Sequence, residues 1–266
     1  MSEVGSALLV FALLLVATGL GVWTRPLLPE EHKAHETVQL VQLVIGMLVT
    51  FAALVLGLMT ASAKSSFDTA SNDLRAYAAD LIEFDTTLRE VGSDADDARR
   101  LLRVYTGAAI ASTWPGEPAP SGDYPKDIGT QDNSQKLENV RLGDMLTDVG
   151  RQLRQLRARD PLRQRALDDA LTQYRRVVDA RWKLIEEAHS SISQPFFKTL
   201  TFWLSVIFLS FGLIAPRNAL ALVTISLGAV SIASAIYVIV DLDTPFTGPI
   251  VISSQPLRDA LTHLTR

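Results

Sequence analysis

Four long stretches without a single charge alternate with a middle region crowded by them. Val4–Trp23 is twenty uncharged residues, and Val38–Ala63 is 26, broken only by Gln39, Gln42 and small hydroxyls. A third stretch lies between Lys198 and Arg217, and a fourth between Arg217 and Asp241. A helix rises about 1.5 Å per residue, so roughly 20 residues cross a hydrocarbon core of about 30 Å. Backbone groups left unpaired in lipid cost several kcal/mol, so such stretches must be helices rather than open strands. The first is not a signal peptide in form: MSEVGS carries Glu3 and no basic residue, and no small-x-small site closes the run before Arg25. The pattern predicts four transmembrane helices.

They group as two hairpins. Pro26 and Pro29 interrupt helix between the first two, and Pro216-Arg217-Asn218 makes a tight turn between the last two. Four spans place the N-terminus, the region 64–194 and the tail on one face. Near the span ends that face carries Lys64, Arg75, Arg181, Lys183, Lys198 and Arg258, against Arg25, Lys33 and Arg217 opposite, so the larger region is expected in the cytoplasm of a bacterial inner membrane.

The middle reads as helix throughout. Leu74, Tyr77, Ala78, Leu81 and Leu88 recur at steps of three and four. Nothing between Ala63 and Ser71 breaks helix, so the second span should run on into this segment. Gly92-Ser93 interrupts it, with Ser93 the expected cap of the next helix, which carries Leu101, Leu102, Tyr105 and Ala109 and ends at Trp114-Pro115. Pro115–Asn133, rich in Pro, Gly and Asp, reads as an exposed loop. A third helix passes through Leu137, Val140, Leu146, Val149, Leu153 and Leu156; a fourth begins at Asp160-Pro161, a cap followed by proline at the first helical position, and leads to Pro195. The expected organisation is an all-α membrane protein: a first transmembrane hairpin (1–63), a cytoplasmic helical bundle between spans two and three (64–194), a second transmembrane hairpin (195–240) and a cytoplasmic tail (241–266).

Charge sharpens the division. Lys64–Lys198 holds 20 of the 25 basic and 22 of the 29 acidic residues, and the net charge of −4 excludes a broadly basic nucleic-acid binder. The absence of cysteine excludes disulfides, thiolate metal sites and thiol nucleophiles. No GxSxG, GxxxxGK[ST] or GxGxxG occurs, and the reading is not of an enzyme.

Candidate chemistry is sparse. Glu31, His32, His35 and Glu36 have spacing that can bind a divalent metal, although a polar helix start at the interface is the simpler reading. Asp241 and Asp243 sit where the fourth span ends, since Pro245 disfavours helix at Thr244. Carboxylates there oppose the helix dipole, and water, a cation, an Arg partner or an ion path must offset this. Ser253-Ser254 before Pro256-Leu257 reads as a capped helix start, with Leu257, Leu261 and Leu264 on one face. Small residues four apart, Ala17/Gly21, Gly46/Thr50, Ala53/Gly57 and Ser231/Ala235, allow close helix approach. Hydroxyls and amides in the second and fourth spans either line a narrow wet path or bond neighbouring carbonyls. No ionisable residue lies inside any span, which disfavours a proton relay or voltage sensor and leaves a passive pore.

Several strings carry a resemblance: Ser191-Ile192-Ser193-Gln194-Pro195-Phe196, Pro216-Arg217-Asn218-Ala219, the run Asp241 to Gly248, Ser253-Ser254-Gln255-Pro256-Leu257-Arg258, and Tyr105–Pro115 with its Trp114-Pro115 end. Together they resemble the bacterial bestrophin-like family, whose members usually have Glu where this chain has Asp241. The resemblance implies kinship with bestrophins, oligomeric anion channels with four spans and a cytosolic helical body. It implies a homo-oligomer in membrane lipid, a pore lined by the second span, and calcium or another cation bound by an acidic segment after the last span. Carried onto this chain, the pore-lining residues would be Gln39, Gln42, Gly46, Thr50, Ala53 and Gly57, and the cation ligands Asp241 and Asp243. Asp241, Asp243, Pro245, Phe246, Gly248, Ser253, Pro256 and Arg258 would form a C-terminal motif, and Pro216, Arg217 and Asn218 a hairpin motif. Phe51 is the only ring in the second span, so an aromatic neck is not expected. The alternative is a non-conducting membrane scaffold or sensor whose helical region binds a cytoplasmic partner.

Overall fold

The structure is a computed structural model, and it describes residues 3–27, 35–125, 139–157, 160–188, 194–216 and 218–266. Eight α-helices account for most of the described residues: α1 (Glu3–Thr24), α2 (His35–Val91), α3 (Asp96–Thr113), α4 (Val140–Gln155), α5 (Pro161–Ala188), α6 (Gln194–Ile214), α7 (Ala219–Leu242) and α8 (Gln255–Leu264). Among the described residues four helices are long and apolar enough to cross a bilayer: α1, the apolar part of α2, α6 and α7. As expected from the unbroken run after Ala63, α2 is one helix of 57 residues. At 1.5 Å per residue it extends about 85 Å, far beyond any bilayer core. The chain divides into two compact units, 1–67 with 190–250, and 68–189 with 251–266. The C-terminal stretch is therefore shared, Asp241–Ile250 with the first unit and Val251–Arg266 with the second.

In the first unit the core is narrow. Val10, Leu14 and Ala17 of α1 meet Leu200, Leu204, Ile207 and Phe208 of α6 and Ala229, Ile236 and Ile239 of α7. From α2 come Ile45, Ala52 and Met59, a seam with seven-residue spacing. The outward positions are as apolar as the inward ones: Leu40 is 64% exposed, Met47 55%, Leu54 60% and Leu58 62%. Leaving such a side chain in water forgoes about 1.5–3 kcal/mol each, and a surface this apolar is matched to lipid. Where hydrocarbon surrounds the helices, close packing must hold them. The α1–α6 crossing supplies it: Gly21 and Gly212 face each other, and a Cβ on Gly21 would lie 2.2 Å from Leu209 O. The Ala17/Gly21 spacing anticipated this use for α1; its glycine partner on α6 was not anticipated. Arg25 closes the end of this pair by donating to the carbonyl of Ala215.

In the second unit the amphipathic pattern is conventional. Leu74, Leu81, Phe84 and Leu88 of α2, Leu102, Tyr105 and Ile110 of α3, Leu142, Leu146, Val149 and Leu153 of α4, and Leu167, Val177 and Leu184 of α5 are buried, as are Leu257, Ala260 and Leu264 of α8. Tyr174 packs on Gly150, where a Cβ would come within 2.3 Å of its ring. The hydroxyls of Tyr77 and Tyr105 meet at 2.6 Å, and burial pushes both phenols up from their ordinary range. Asp85, buried on α2, takes Arg89 Nε and Arg99 Nε at 2.9 Å each, tying α2 to α3.

Several local expectations are corrected. Gly92 turns the chain after α2 with φ +94°, but Ser93 does not cap α3: a 3-10 turn Ser93–Ala95 intervenes, and Ala95 stands at the cap with no side-chain bond. Helix α4 begins after Asn139, which accepts from Arg141 N, and stops before Leu156, whose backbone is extended; Leu137 lies outside the described residues. Asp160 caps α5 as expected, accepting from Arg163 N at 2.9 Å. The described part of the proline-rich loop is not simply exposed. Tyr124 is 8% exposed, packs on Gly107 and donates to Pro120 O, folding the loop back on α3.

Candidate functional site

Along its apolar half α2 presents three faces. One is the buried seam of Ile45, Ala52 and Met59, and a second is the row of large exposed apolar residues. The third follows steps of three, four and seven and collects Gln39, Gln42, Gly46, Ala53 and Gly57, with Thr50 at its edge. All six are exposed in the single chain. Nothing stands within 4 Å of where a Cβ would be on Gly46 or Gly57. Part of this face opens on a groove of about 730 Å³, bounded by Gln42 and Gly46 of α2, Phe211 of α6 and Thr224 and Gly228 of α7.

Four hydroxyls of the second and fourth spans are spent locally. Thr50 donates to Gly46 O, Thr60 to Leu56 O, Thr224 to Leu220 O and Ser234 to Val230 O, each at 2.8–2.9 Å and four residues back. That is the second of the two uses left open by the sequence, and it leaves the amides of Gln39 and Gln42 as the strongest dipoles of the α2 face. Ser231 is exposed on α7, where close packing falls instead to Ala229 and Ala233.

The C-terminal motif divides between the units. In the first, Asp241 is fully buried, which corrects the expectation that it could simply face water. Its Oδ2 accepts from the backbone N–H of Ile250 at 3.0 Å. A main-chain donor thus helps to offset a carboxylate at a helix C-terminus, an option the sequence did not suggest. Asp243 is the half-buried C-cap. Pro245 and Phe246 are buried, the turn closes with Thr247 N to Thr244 O at 3.0 Å, and Gly248 adopts φ +85°, a conformation that side chains disfavour. One oxygen of Asp241 is committed to Ile250, and among the described residues no group of three or more His, Cys, Asp or Glu side chains lies together.

In the second unit, Ser254 and Arg258 converge on Glu117. Arg258 donates through Nε and Nη2 to Glu117 Oε2 at 3.2 and 3.0 Å, and the Ser254 hydroxyl donates to the same oxygen. Of the Ser253-Ser254 pair expected to cap α8, Ser254 stands at the cap position but spends its hydroxyl on Glu117, while Ser253 Oγ accepts from Gln255 N at 3.2 Å, and Pro256 takes a first-turn position. Trp114 Nε1 donates to Ile252 O at 2.7 Å. Glu117 was missed, although a lone charge inside Pro-Gly-Glu-Pro was its one signal. Of the hairpin motif, Pro216 and Asn218 are exposed and Asn218 caps α7 by accepting from Ala221 N at 2.8 Å; Arg217 lies outside the described residues, as do Glu31, His32 and the His35 side chain, while Glu36 is exposed.

The fold is that of a helical membrane protein with four helices long and apolar enough to span a bilayer and a second, charged helical unit. A Bestrophin-like domain matches residues 12–257, nearly the whole chain, and the chain belongs to that family. Solved structures agree in fold. A bestrophin homolog from Klebsiella pneumoniae, in a single-substitution variant, is 15% identical with a TM-score of 0.61, covering 99% of this chain and 97% of that one. The structure of the same homolog solved by zinc phasing is 16% identical with a TM-score of 0.59, again covering 99% and 97%. No curated protein matches. The family is one of membrane proteins related to channels, not one of enzymes.

Proposed function

We propose that copies of this chain assemble in a bilayer around a passive path for small ions, lined by Gln39, Gln42, Gly46, Thr50, Ala53 and Gly57. The observation that carries the reading is that this small and polar face of α2 is uncovered within one chain, while another face of the same helix is built of large apolar residues. Gly and Ala leave room along the path, and amide dipoles stand at its first two turns. The path holds no ionisable group until Lys64, which lies eighteen residues after Gly46 and so on the same face five turns on. Such a path passes ions without a proton relay and is gated by wetting of apolar walls. The kinship with bestrophins favours anions, and the excess of basic residues around the charged unit favours its placement in the cytoplasm of a bacterial inner membrane.

Liposome flux tests the reading directly. Purified protein in vesicles should release a chloride gradient faster than empty vesicles, and Gly46→Leu should slow that release at unchanged protein content. Flux equal to that of empty lipid across salts refutes conduction. The internal bonding of the Thr50, Thr60, Thr224 and Ser234 hydroxyls favours the second reading, a non-conducting scaffold or sensor; silent vesicles together with one stoichiometric partner bound to the charged helical unit would establish it.

A further inference from the structure

A second polar constellation lies in the charged unit. Asp73 stands on α2; Lys183 and Glu187 stand one turn apart on α5. Lys183 Nζ donates to Asp73 Oδ1 at 2.8 Å. The other oxygen of Asp73, Oδ2, and Glu187 Oε2 are both closed off from solvent, and no protein group donates to either. Because Lys183 and Glu187 share one face of α5, the bond from Lys183 brings Asp73 to the side of α5 on which Glu187 stands. Two ionised carboxylates so placed repel, and neither of these two oxygens has a donor to compensate for lost water. One proton between them replaces the repulsion with a charge-assisted O–H···O⁻ bond, among the stronger hydrogen bonds in proteins.

We propose that Asp73 and Glu187 form a proton-binding site in which one proton, shared by Asp73 Oδ2 and Glu187 Oε2, ties α2 to α5 and is released as the solution becomes alkaline. The charged groups that bear on the site are Asp73 from α2 and Lys183 and Glu186 from α5. Burial, then the bond to Asp73 and its charge, lift the Glu187 carboxyl from 4.5 to about 7, with Lys183 opposing. A folded-state value above the unfolded one means that the native protein holds the extra proton. The resulting stability is complete below pH 4.5, falls as the pH rises, and is gone once the pH has passed about 7. Above that, only the Lys183–Asp73 bridge still joins this constellation. Because α2 also carries the uncovered polar face, deprotonation loosens one attachment of the helix that lines the proposed path. The site stands without the channel reading; only its effect on flux rests on that reading.

The test uses full-length protein in detergent. Infrared difference spectra between pH 5.5 and 8.5 should show a protonated-carboxyl band at half amplitude near pH 7. That band should be missing from both Glu187→Gln and Asp73→Asn. The Glu187→Gln amide can still donate to Asp73, so the variant should keep its fold and lose the pH dependence: thermal midpoints of the wild type should fall as pH rises through 7, while those of Glu187→Gln stay level. A wild-type spectrum that matches both variants, or a band that titrates in the ordinary carboxylate range, overturns the proposal. So does an unchanged pH dependence in Glu187→Gln. Should vesicles prove silent while the band and the stability profile behave as stated, the proton site holds and the channel reading fails.

Discussion

The Gly21–Gly212 crossing yields the sharpest stability prediction. Replacing Gly21 with Ala puts a Cβ 2.2 Å from Leu209 O and 3.0 Å from Gly212 Cα; replacing Gly212 with Ala puts one 2.2 Å from Thr18 O. An ordinary carbon–oxygen contact is about 3.3 Å, so α1 and α6 must part by about 1 Å. A gap of that size forfeits a quarter to a half of each contact it touches. No hydrophobic drive between helices in lipid compensates, and overpacking of this kind costs about 1–3 kcal/mol. The intrinsic helix gain of Gly→Ala, up to about 1 kcal/mol, is removed by a control on the same helix: Gly19, whose added Cβ meets nothing within 4 Å. Unfolding of detergent-solubilised protein by a denaturing detergent, followed by tryptophan fluorescence, should therefore place Gly21→Ala and Gly212→Ala about 1–3 kcal/mol below Gly19→Ala. The double variant should fall short of the sum, since both changes open the same contact. If all three single variants unfold together, the close crossing is not what holds α1 to α6.

The remaining predictions concern single contacts. Asp241→Ala should destabilise the protein by about 1–3 kcal/mol, because it strips the Ile250 N–H of its acceptor, whereas Asp241→Asn keeps an acceptor and should cost less; thermal unfolding separates them. Glu117→Ala removes the acceptor shared by Arg258 and Ser254 and should expose the chain near Ile252 to limited proteolysis before the rest of the second unit opens. Gly150→Ala sets a Cβ into the Tyr174 ring and should cost about 1–3 kcal/mol in the same assay. In a conducting assembly, Lys64→Glu should shift the reversal potential toward cations in an asymmetric salt gradient, since it inverts the one charge on the path's own face.

What could be read from the chain was set by composition and period. Four charge-free stretches announce their solvent by length alone, and the unbroken α2 followed from the lack of Gly or Pro between Ala63 and Val91. Chemistry that depends on distant partners was not legible. Asp241 could be recognised as anomalous at a helix end, but the donor that relieves it is a backbone N–H nine residues on, invisible to any motif. Ser253-Ser254 looked like a cap because the pair stands just ahead of Pro256; Glu117, across a long separation in sequence, takes the hydroxyl of Ser254 instead. Gly212 sits in Phe-Gly-Leu with no small residue four positions away, so no spacing rule marked it as the partner of Gly21. Asp73, Lys183 and Glu187 each read as ordinary charges on solvated helix faces until the packing of α2 on α5 closed them together.

The absence of cysteine makes the direct test of the conducting path clean. Single cysteines should be placed along α2 in an otherwise unchanged chain, reconstituted in vesicles, and exposed to a charged, water-soluble thiol reagent while flux is recorded. Substitutions at Gln39, Gln42, Gly46, Ala53 and Gly57 should react and block flux, whereas those at Leu40, Met47, Leu54 and Leu58 should be inert. Labelling without that helical alternation, or modification of the first set that leaves flux untouched, would contradict the assignment of this face to the ion path.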